Sequence, residues 1–145
     1  MTSNVFIVAY EGEPSDSGVL NYAITRAKAE GASLVLVHVL EWSPYSFLTP
    51  QEVEERHSRR KRELARADEV VMAPALAACD TAGVSATAVI RYGQVIELVL
   101  EEAKLAGATL IFVGRSGQQS MATRIFGSVP LGLAQLSPIP TVIVP

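Results

Sequence analysis

Two glycine clusters in the last third of the chain could bind a phosphate group. Gly114 and Gly117 follow an apolar run at residues 109–113, and nine residues separate Gly117 from Gly127 and Ser128. Because glycine has no Cβ, its backbone can turn with positive φ and a ligand can reach the peptide N–H groups. A helix that begins at Ser128 would add unpaired amides, a hydroxyl and the positive end of its dipole. Each glycine alone is explained by a plain turn, but the joint placement predicts a phosphate cradle.

The residues around this cradle favour binding over catalysis. The chain lacks the Gly-x-x-x-x-Gly-Lys-Ser/Thr sequence, so neutralising phosphate charge would fall to Mg²⁺ or Mn²⁺ and to Arg115 or Arg124. The alternative, that both arginines only face solvent, stays open. Ser116 lacks the spacing of a Gly-x-Ser-x-Gly nucleophile, and neither His38 nor His57 has the partners of a triad or a zinc site. We therefore assign no catalytic residue and no protein metal ligand.

Five short β-branched runs alternate with helical patterns, which is typical of a parallel sheet with helices on both faces. The predicted strands are residues 5–10, 34–40, 85–91, 109–113 and 141–144. The first helix places five apolar residues on one face: Val19, Leu20, Ala23, Ile24 and Ala27. The helix after the third strand points four residues inward: Ile96, Val99, Leu100 and Ala103. A last helix is predicted at residues 128–136.

A long helix is predicted between the second and third strands. Thr49, Pro50 and Glu52 form a capping box with proline at the first helical position. The helix runs to about Ala82, with a kink or break forced by Pro74. Residues 56–66 hold six of the 12 lysines and arginines. A nucleic-acid or acidic-partner surface is one interpretation, but the interleaved acidic residues favour a solvated helix with charges paired along it.

Size, charge and cysteine content limit the class of protein. The 145 residues are 49% apolar and 19% charged, which predicts one domain over residues 1–145. The net charge of −3 argues against nonspecific nucleic-acid binding. Cys79 is the only cysteine and is expected to be a small buried residue. We find no signal peptide and no apolar run of about 20 residues, so we expect no membrane insertion and a cytoplasmic location.

The chain resembles the universal stress protein family along nearly its whole length. The glycine clusters match that family's Gly-x2-Gly-x9-Gly-Ser/Thr signature, and the agreement extends to residues 5–9, 34–39, 93–96, 107–114 and 138–144. The resemblance implies a Rossmann-like α/β fold of the adenine nucleotide alpha hydrolase-like type. Its open five-stranded parallel sheet would have the order 3-2-1-4-5. It also implies the ATP-binding branch of the family and a homodimer formed through the C-terminal strand, Thr141–Val144.

The resemblance also indicates where a nucleotide would bind. Ligands of open parallel sheets bind beyond the carboxyl ends of the strands where the strand order reverses, here between strands one and four. Glu11 takes the place of a family aspartate that contacts the nucleoside, and Val39 would offer its backbone to adenine. Ribose and phosphates would be held by Gly114, Gly117, Gly127, Ser128 and Val129. The other residues of the predicted nucleotide site are Ala9, Tyr10, Val113, Arg115 and Arg124.

Three functions are compatible with this sequence. The first is an ATP-binding, homodimeric regulatory protein of the stress response, in which occupancy by ATP, ADP or AMP changes conformation or assembly. The second is a slow ATPase or nucleotidyl-transfer enzyme on the same fold, with Glu11 as the evident general base. The third is a stress protein dimer whose site is vestigial because Tyr10 and Glu11 block it. The sequence favours the first, because fold alone does not give activity.

Overall fold

The computed structural model describes residues 4–12, 18–41, 49–115 and 129–145. The strands in these ranges are β1 (Val5–Ala9), β2 (Ser33–Glu41), β3 (Ala86–Gly93), β4 (Leu110–Gly114) and β5 (Thr141–Val144). The helices are α1 (Val19–Glu30), α2 (Pro50–Arg66), α3 (Ala73–Ala82), α4 (Val95–Ala106) and α5 (Val129–Leu136). A π-helical segment, Ala67–Met72, joins α2 to α3. The predicted bounds of β5 are confirmed, and those of the other four strands differ by at most two residues at either end.

The five strands form one parallel sheet in the order β3-β2-β1-β4-β5. This confirms the predicted strand order and fold class. β1 is the central strand, and its last residue, Ala9, pairs with Val37 of β2 and with Val113 of β4. Ile7 and Val8 of β1 are both 0% exposed. The continuous apolar sequence of β1 follows from this position, because a central parallel strand is covered on both faces.

Helices cover both faces of the sheet. On one face, Phe6 packs with the buried stripe of α1 and with Cys79 of α3, and the five predicted core residues of α1 are all buried. Burial raises the pKa of the Cys79 thiol, in agreement with its predicted role as a small buried residue. On the other face, Ile7 packs with Val99 of α4 and Leu133 of α5. We refer to these as the α1–α3 face and the α4–α5 face.

The long helix begins as predicted, but its irregularity lies upstream of Pro74. Thr49 caps α2, and its Oγ1 accepts from the Glu52 N–H at 3.2 Å. The helix then widens into the π segment, after which the Ala73 N–H donates to the Asp68 carbonyl five residues back. Proline has no N–H, and its ring crowds the carbonyl four residues earlier. The wider turn before Pro74 relieves that crowding and lets the helical path continue into α3.

α2 is a solvated helix, as predicted, and polar contacts attach it to the sheet. No residue of α2 (Pro50–Arg66) is buried. Tyr92 of β3 donates its hydroxyl hydrogen to Glu63 Oε2 at 2.7 Å. The Arg60 guanidinium lies over the same ring, 5.0 Å from its centroid, a cation–π arrangement. Arg60 and Glu63 therefore hold α2 against β3.

Burial and the contact with Glu63 are expected to raise the pH at which Tyr92 ionises. Burial, together with the hydrogen bond to Glu63, raises the pKa of Tyr92 to about 12, although Arg60 opposes the shift. Since an unfolded tyrosine has a pKa near 10, the contact stabilises the fold fully below about pH 10. That stabilisation is lost as the pH rises from about 10 through about 12.

The tyrosinate absorbance of wild type minus that of Tyr92→Phe measures this ionisation. We expect the difference to rise near pH 12. Glu63→Gln is the control, because it keeps the side-chain length but removes the carboxylate, and it should move the midpoint downward. A wild-type midpoint near pH 10, the ordinary value, would contradict the contact.

Candidate functional site

The candidate site lies at the carboxyl edge of the sheet, where β1 ends before its neighbours. β2 continues four residues beyond the partner of Ala9, to Glu41, and β4 continues by one, to Gly114. The next described helix after β1 lies on the α1–α3 face, and the next described helix after β4 lies on the α4–α5 face. The strand order therefore reverses between β1 and β4. We call the space bounded by Val39, Gly114 and the end of β1 the β1 notch.

Val39 of β2 points its peptide groups into the β1 notch. Successive peptide groups of a strand point to opposite neighbours. The Val37 carbonyl accepts from the Tyr10 N–H at 2.9 Å, whereas the Leu34 N–H donates to the Ser85 carbonyl before β3 at 2.9 Å. Odd-numbered residues of β2 therefore face β1. Val39 continues this alternation at a level where β1 has already turned away, so its N–H and C=O face the notch.

Gly114 of β4 faces the same notch from the other side. The Ile111 N–H donates to the Pro140 carbonyl at 3.0 Å, and the Arg115 N–H donates to the Val144 carbonyl at 2.7 Å. Both residues thus point toward β5. Gly114 lies directly before Arg115 and points the opposite way, toward β1. The pairing of Ala9 with Val113 uses the Gly114 N–H in the parallel ladder, so the Gly114 carbonyl is the group that lies beyond the end of β1. Two strands that flank β1 therefore direct backbone groups to one place.

After Ala9 the chain turns toward the α1–α3 face. Tyr10 is half-buried and packs against the core of that face. Gly12 is buried with φ 86°, and a Cβ built on it would lie 3.0 Å from Cγ1 of Val71 in the π segment. Glu11, between them, is exposed. The Tyr10 ring therefore packs into the core, while Glu11 lies at the rim of the β1 notch.

His38 of β2 contacts the end of β1. Its Nδ1 lies 2.8 Å from the carbonyl oxygen of Tyr10. Because a carbonyl oxygen only accepts, Nδ1 carries the proton in this hydrogen bond. In the sequence His38 lacks the partners of a triad or a zinc site, and nothing there predicts this contact. The available signal was a polar residue within an apolar strand, directly before Val39.

The other predicted site residues fall into two groups. Val113 is buried in the sheet, Arg115 is exposed beside Gly114, and Val129 is half-buried at the start of α5. Seven predicted residues thus share the carboxyl edge at or next to the β1 notch: Ala9, Tyr10, Glu11, Val39, Val113, Gly114 and Arg115. Four others lie outside the described residues: Gly117, Arg124, Gly127 and Ser128.

Two properties of the described part of the chain bear on other kinds of site. None of its helices is long and apolar enough to cross a membrane. Across the same ranges, no three His, Cys, Asp or Glu side chains are grouped so that they could hold a metal ion.

An open parallel sheet with helices on both faces and a strand reversal beside its central strand defines the doubly wound α/β class. The chain belongs to the universal stress protein family, whose family model matches residues 3–145. The match confirms the family resemblance that the glycine clusters and apolar runs indicated. A search of curated proteins finds no match.

Solved structures with the same fold include several universal stress proteins. Universal stress protein UspA from Lactobacillus plantarum has a TM-score of 0.83 at 19% identity, covering 100% of this chain and 99% of that one. A universal stress protein in complex with cAMP has a TM-score of 0.71 at 21% identity, covering 99% and 98%. A family member from Arabidopsis thaliana with AMP bound has a TM-score of 0.61 at 14% identity, covering 99% and 90%. At these identities the likeness shows the shared fold.

Proposed function

We propose that this protein binds ATP at the β1 notch and acts as a homodimeric regulatory module in the stress response. The observation that carries the proposal is the convergence of the backbone groups of Val39 and Gly114 on the point where the strand order reverses. Open α/β sheets bind their ligands at this point. A peptide N–H beside a peptide C=O complements the edge of adenine, which presents the N1 acceptor and the N6 amino donor.

The phosphate end of the nucleotide would extend from Gly114 over the glycine motif. The Arg115 side chain is exposed there, and its backbone is held by the bond to Val144. Arg115 would therefore present a cation near the phosphates, together with Arg124 and a divalent ion, Mg²⁺ or Mn²⁺. The backbone of Gly117, Gly127 and Val129 and the Ser128 hydroxyl would complete the cradle. The described residues thus fit an adenine nucleotide with an anionic tail.

Ligands of solved relatives support adenine nucleotides as the ligand class. Three universal stress proteins of this fold were solved with cAMP, with AMP and, for a protein from Archaeoglobus fulgidus, with dAMP. All three ligands contain adenine and at least one phosphate. We expect ATP to bind more tightly than ADP or AMP, because the glycine motif offers donors for more than one phosphate.

The packing of Tyr10 argues against a vestigial site. Its side chain packs against the core of the α1–α3 face, and Glu11 is exposed at the rim. Neither arrangement needs the side chain to fill the β1 notch. Glu11 would then accept hydrogen bonds from the nucleoside, as the family aspartate does.

Isothermal titration of nucleotide-stripped protein with Mg-ATP tests the proposal. Glu11→Ala is expected to weaken binding by about 1.5–3 kcal/mol, the range for a hydrogen bond to a charged group. Glu11→Asp should bind at least as well as wild type, because it restores the family residue. Glu54→Ala removes an exposed glutamate of α2 and is the matched control, with an unchanged Kd.

Two outcomes would change the conclusion. No heat and no thermal stabilisation of wild type at millimolar ATP would refute binding, since a ligand that binds only the native state raises apparent stability. Linear release of ADP and phosphate over many turnovers would instead make the protein an ATPase.

A further inference from the structure

We infer that His38 is a positioning residue of the nucleotide site. By donating a hydrogen bond to the carbonyl of Tyr10, it leaves the Val39 backbone available to bind the edge of adenine. The inference rests on the proposed function and adds the residue that controls base recognition. Its basis is the contact of 2.8 Å between His38 Nδ1 and the Tyr10 carbonyl oxygen.

The pairing of β1 with β2 explains why this contact matters. The ladder runs to the bond from the Tyr10 N–H to the Val37 carbonyl. In a parallel ladder that continued by one step, the Val39 N–H would donate to the Tyr10 carbonyl. The imidazole of His38 donates to that oxygen, so the oxygen is satisfied by a side chain. The Val39 N–H can then point into the β1 notch while the Tyr10 carbonyl keeps a hydrogen-bond partner.

The same contact fixes the exit of β1. Tyr10 begins the turn that carries Glu11 to the rim and Gly12 to its contact with Val71. A hydrogen bond from β2 to the first carbonyl of this turn holds the turn at a constant distance from Val39. His38 thereby orients both predicted nucleoside contacts, the Glu11 carboxylate and the Val39 backbone, without touching the ligand itself. Supporting hydrogen bonds of this kind set the precision of binding sites.

The tautomer follows from the geometry. Donation to a carbonyl requires a proton on Nδ1, so the neutral ring has its lone pair on Nε2. An asparagine at this position carries its amide nitrogen on Cγ, as histidine carries Nδ1. A glutamine carries it one bond further out, near the distance of Nε2. The two amides are therefore matched in chemistry and differ in reach.

Titrations of ATP and of GTP into nucleotide-stripped wild type, His38→Asn, His38→Gln and His38→Leu test the inference. His38→Asn should bind ATP within about threefold of wild type, and His38→Gln and His38→Leu about tenfold more weakly, the effect of one lost hydrogen bond. The preference for ATP over GTP should fall in the same two variants. Guanine reverses the donor and acceptor that adenine presents, so this preference measures alignment of the Val39 backbone.

The outcomes separate this role from a purely structural one and from failure of the proposed function. Equal affinities for His38→Asn and His38→Gln, or a fall in Tm without a change in Kd or in ATP preference, would overturn the positioning role while ATP binding stands. Nitrogen NMR of the wild-type imidazole should show the proton on Nδ1, and a proton only on Nε2 would also overturn it. Absence of ATP binding by wild type would overturn the proposed function and this role together.

Discussion

Gly12→Ala is expected to lower the free energy of unfolding by about 2–5 kcal/mol. Gly12 has φ 86° and is buried, so a side chain there adopts a left-handed conformation at a cost of about 1–2 kcal/mol. The added Cβ would also lie 3.0 Å from Cγ1 of Val71. Val71 is β-branched and stiff about χ1, so relief requires movement of the π segment or of the turn after β1. Overpacking of this kind costs about 1–3 kcal/mol.

Two variants separate the cost of the left-handed backbone conformation from the cost of the contact with Val71. Gly83, at the end of α3, has φ 79°, and a Cβ built on it meets nothing within 4 Å. Gly83→Ala should therefore cost only the backbone term, about 1–2 kcal/mol. Gly12→Ala combined with Val71→Ala should recover part of the remainder, because the clashing methyl groups are gone. Urea unfolding of Gly12→Ala, Val71→Ala, the double variant and Gly83→Ala measures all terms. Equal losses in Gly12→Ala and Gly83→Ala would mean that the contact with Val71 costs nothing.

The same Gly12 substitution should weaken ATP binding, because Glu11 is the adjacent residue. A shift of the turn by a few tenths of an ångström moves the Glu11 carboxylate relative to the Val39 backbone. Gly83 lies far from the β1 notch in sequence, so Gly83→Ala should leave the Kd for ATP unchanged. An unchanged Kd in Gly12→Ala, with its lower stability, would show that the turn tolerates displacement.

Much of the fold could be predicted from the sequence because each element carries its own signal. The apolar runs of β1 and β2 identify central parallel strands, and the spacing of the five buried residues of α1 gives its inward face. The strand order came from the family resemblance, and the structure confirms it. The apolar runs and the helical spacing are local features of the sequence. The strand order could be predicted because the family shares it.

The contacts that the sequence did not predict depend on registers between elements. The hydrogen bond of His38 to Tyr10 joins residues 28 positions apart, and it exists because Ala9 pairs with Val37. Leu98 of α4 was not predicted to face inward, yet it is buried, beside Gly93 at the end of β3. Periodicity within one element does not contain these relations.

β5 is the predicted dimer interface and an edge strand among the described residues, and its ladder with β4 shows which of its amides face outward. The carbonyls of Pro140 and Val144 accept from β4, so even-numbered residues of β5 face inward. Thr141 and Ile143 therefore point their N–H groups toward the open edge. Ile143 is also 44% exposed. An apolar edge strand of this kind tends to pair with another chain, and a two-fold axis would make that pairing antiparallel.

Ile143→Pro is expected to convert a dimer into a folded monomer at micromolar concentration. Proline removes an N–H that faces the open edge and leaves the ladder with β4 intact, as edge strands tolerate. Val142→Pro is the matched control: it removes an N–H that faces β4, so it should lower the Tm of the protein itself. Ile143→Lys, which places a charge on the same edge, should also give a monomer.

Sedimentation distinguishes monomer from dimer, with far-UV circular dichroism to establish folding. A wild-type monomer would refute the dimer, and a well-folded dimer in both Ile143 variants would mean that the chains associate through a surface other than β5.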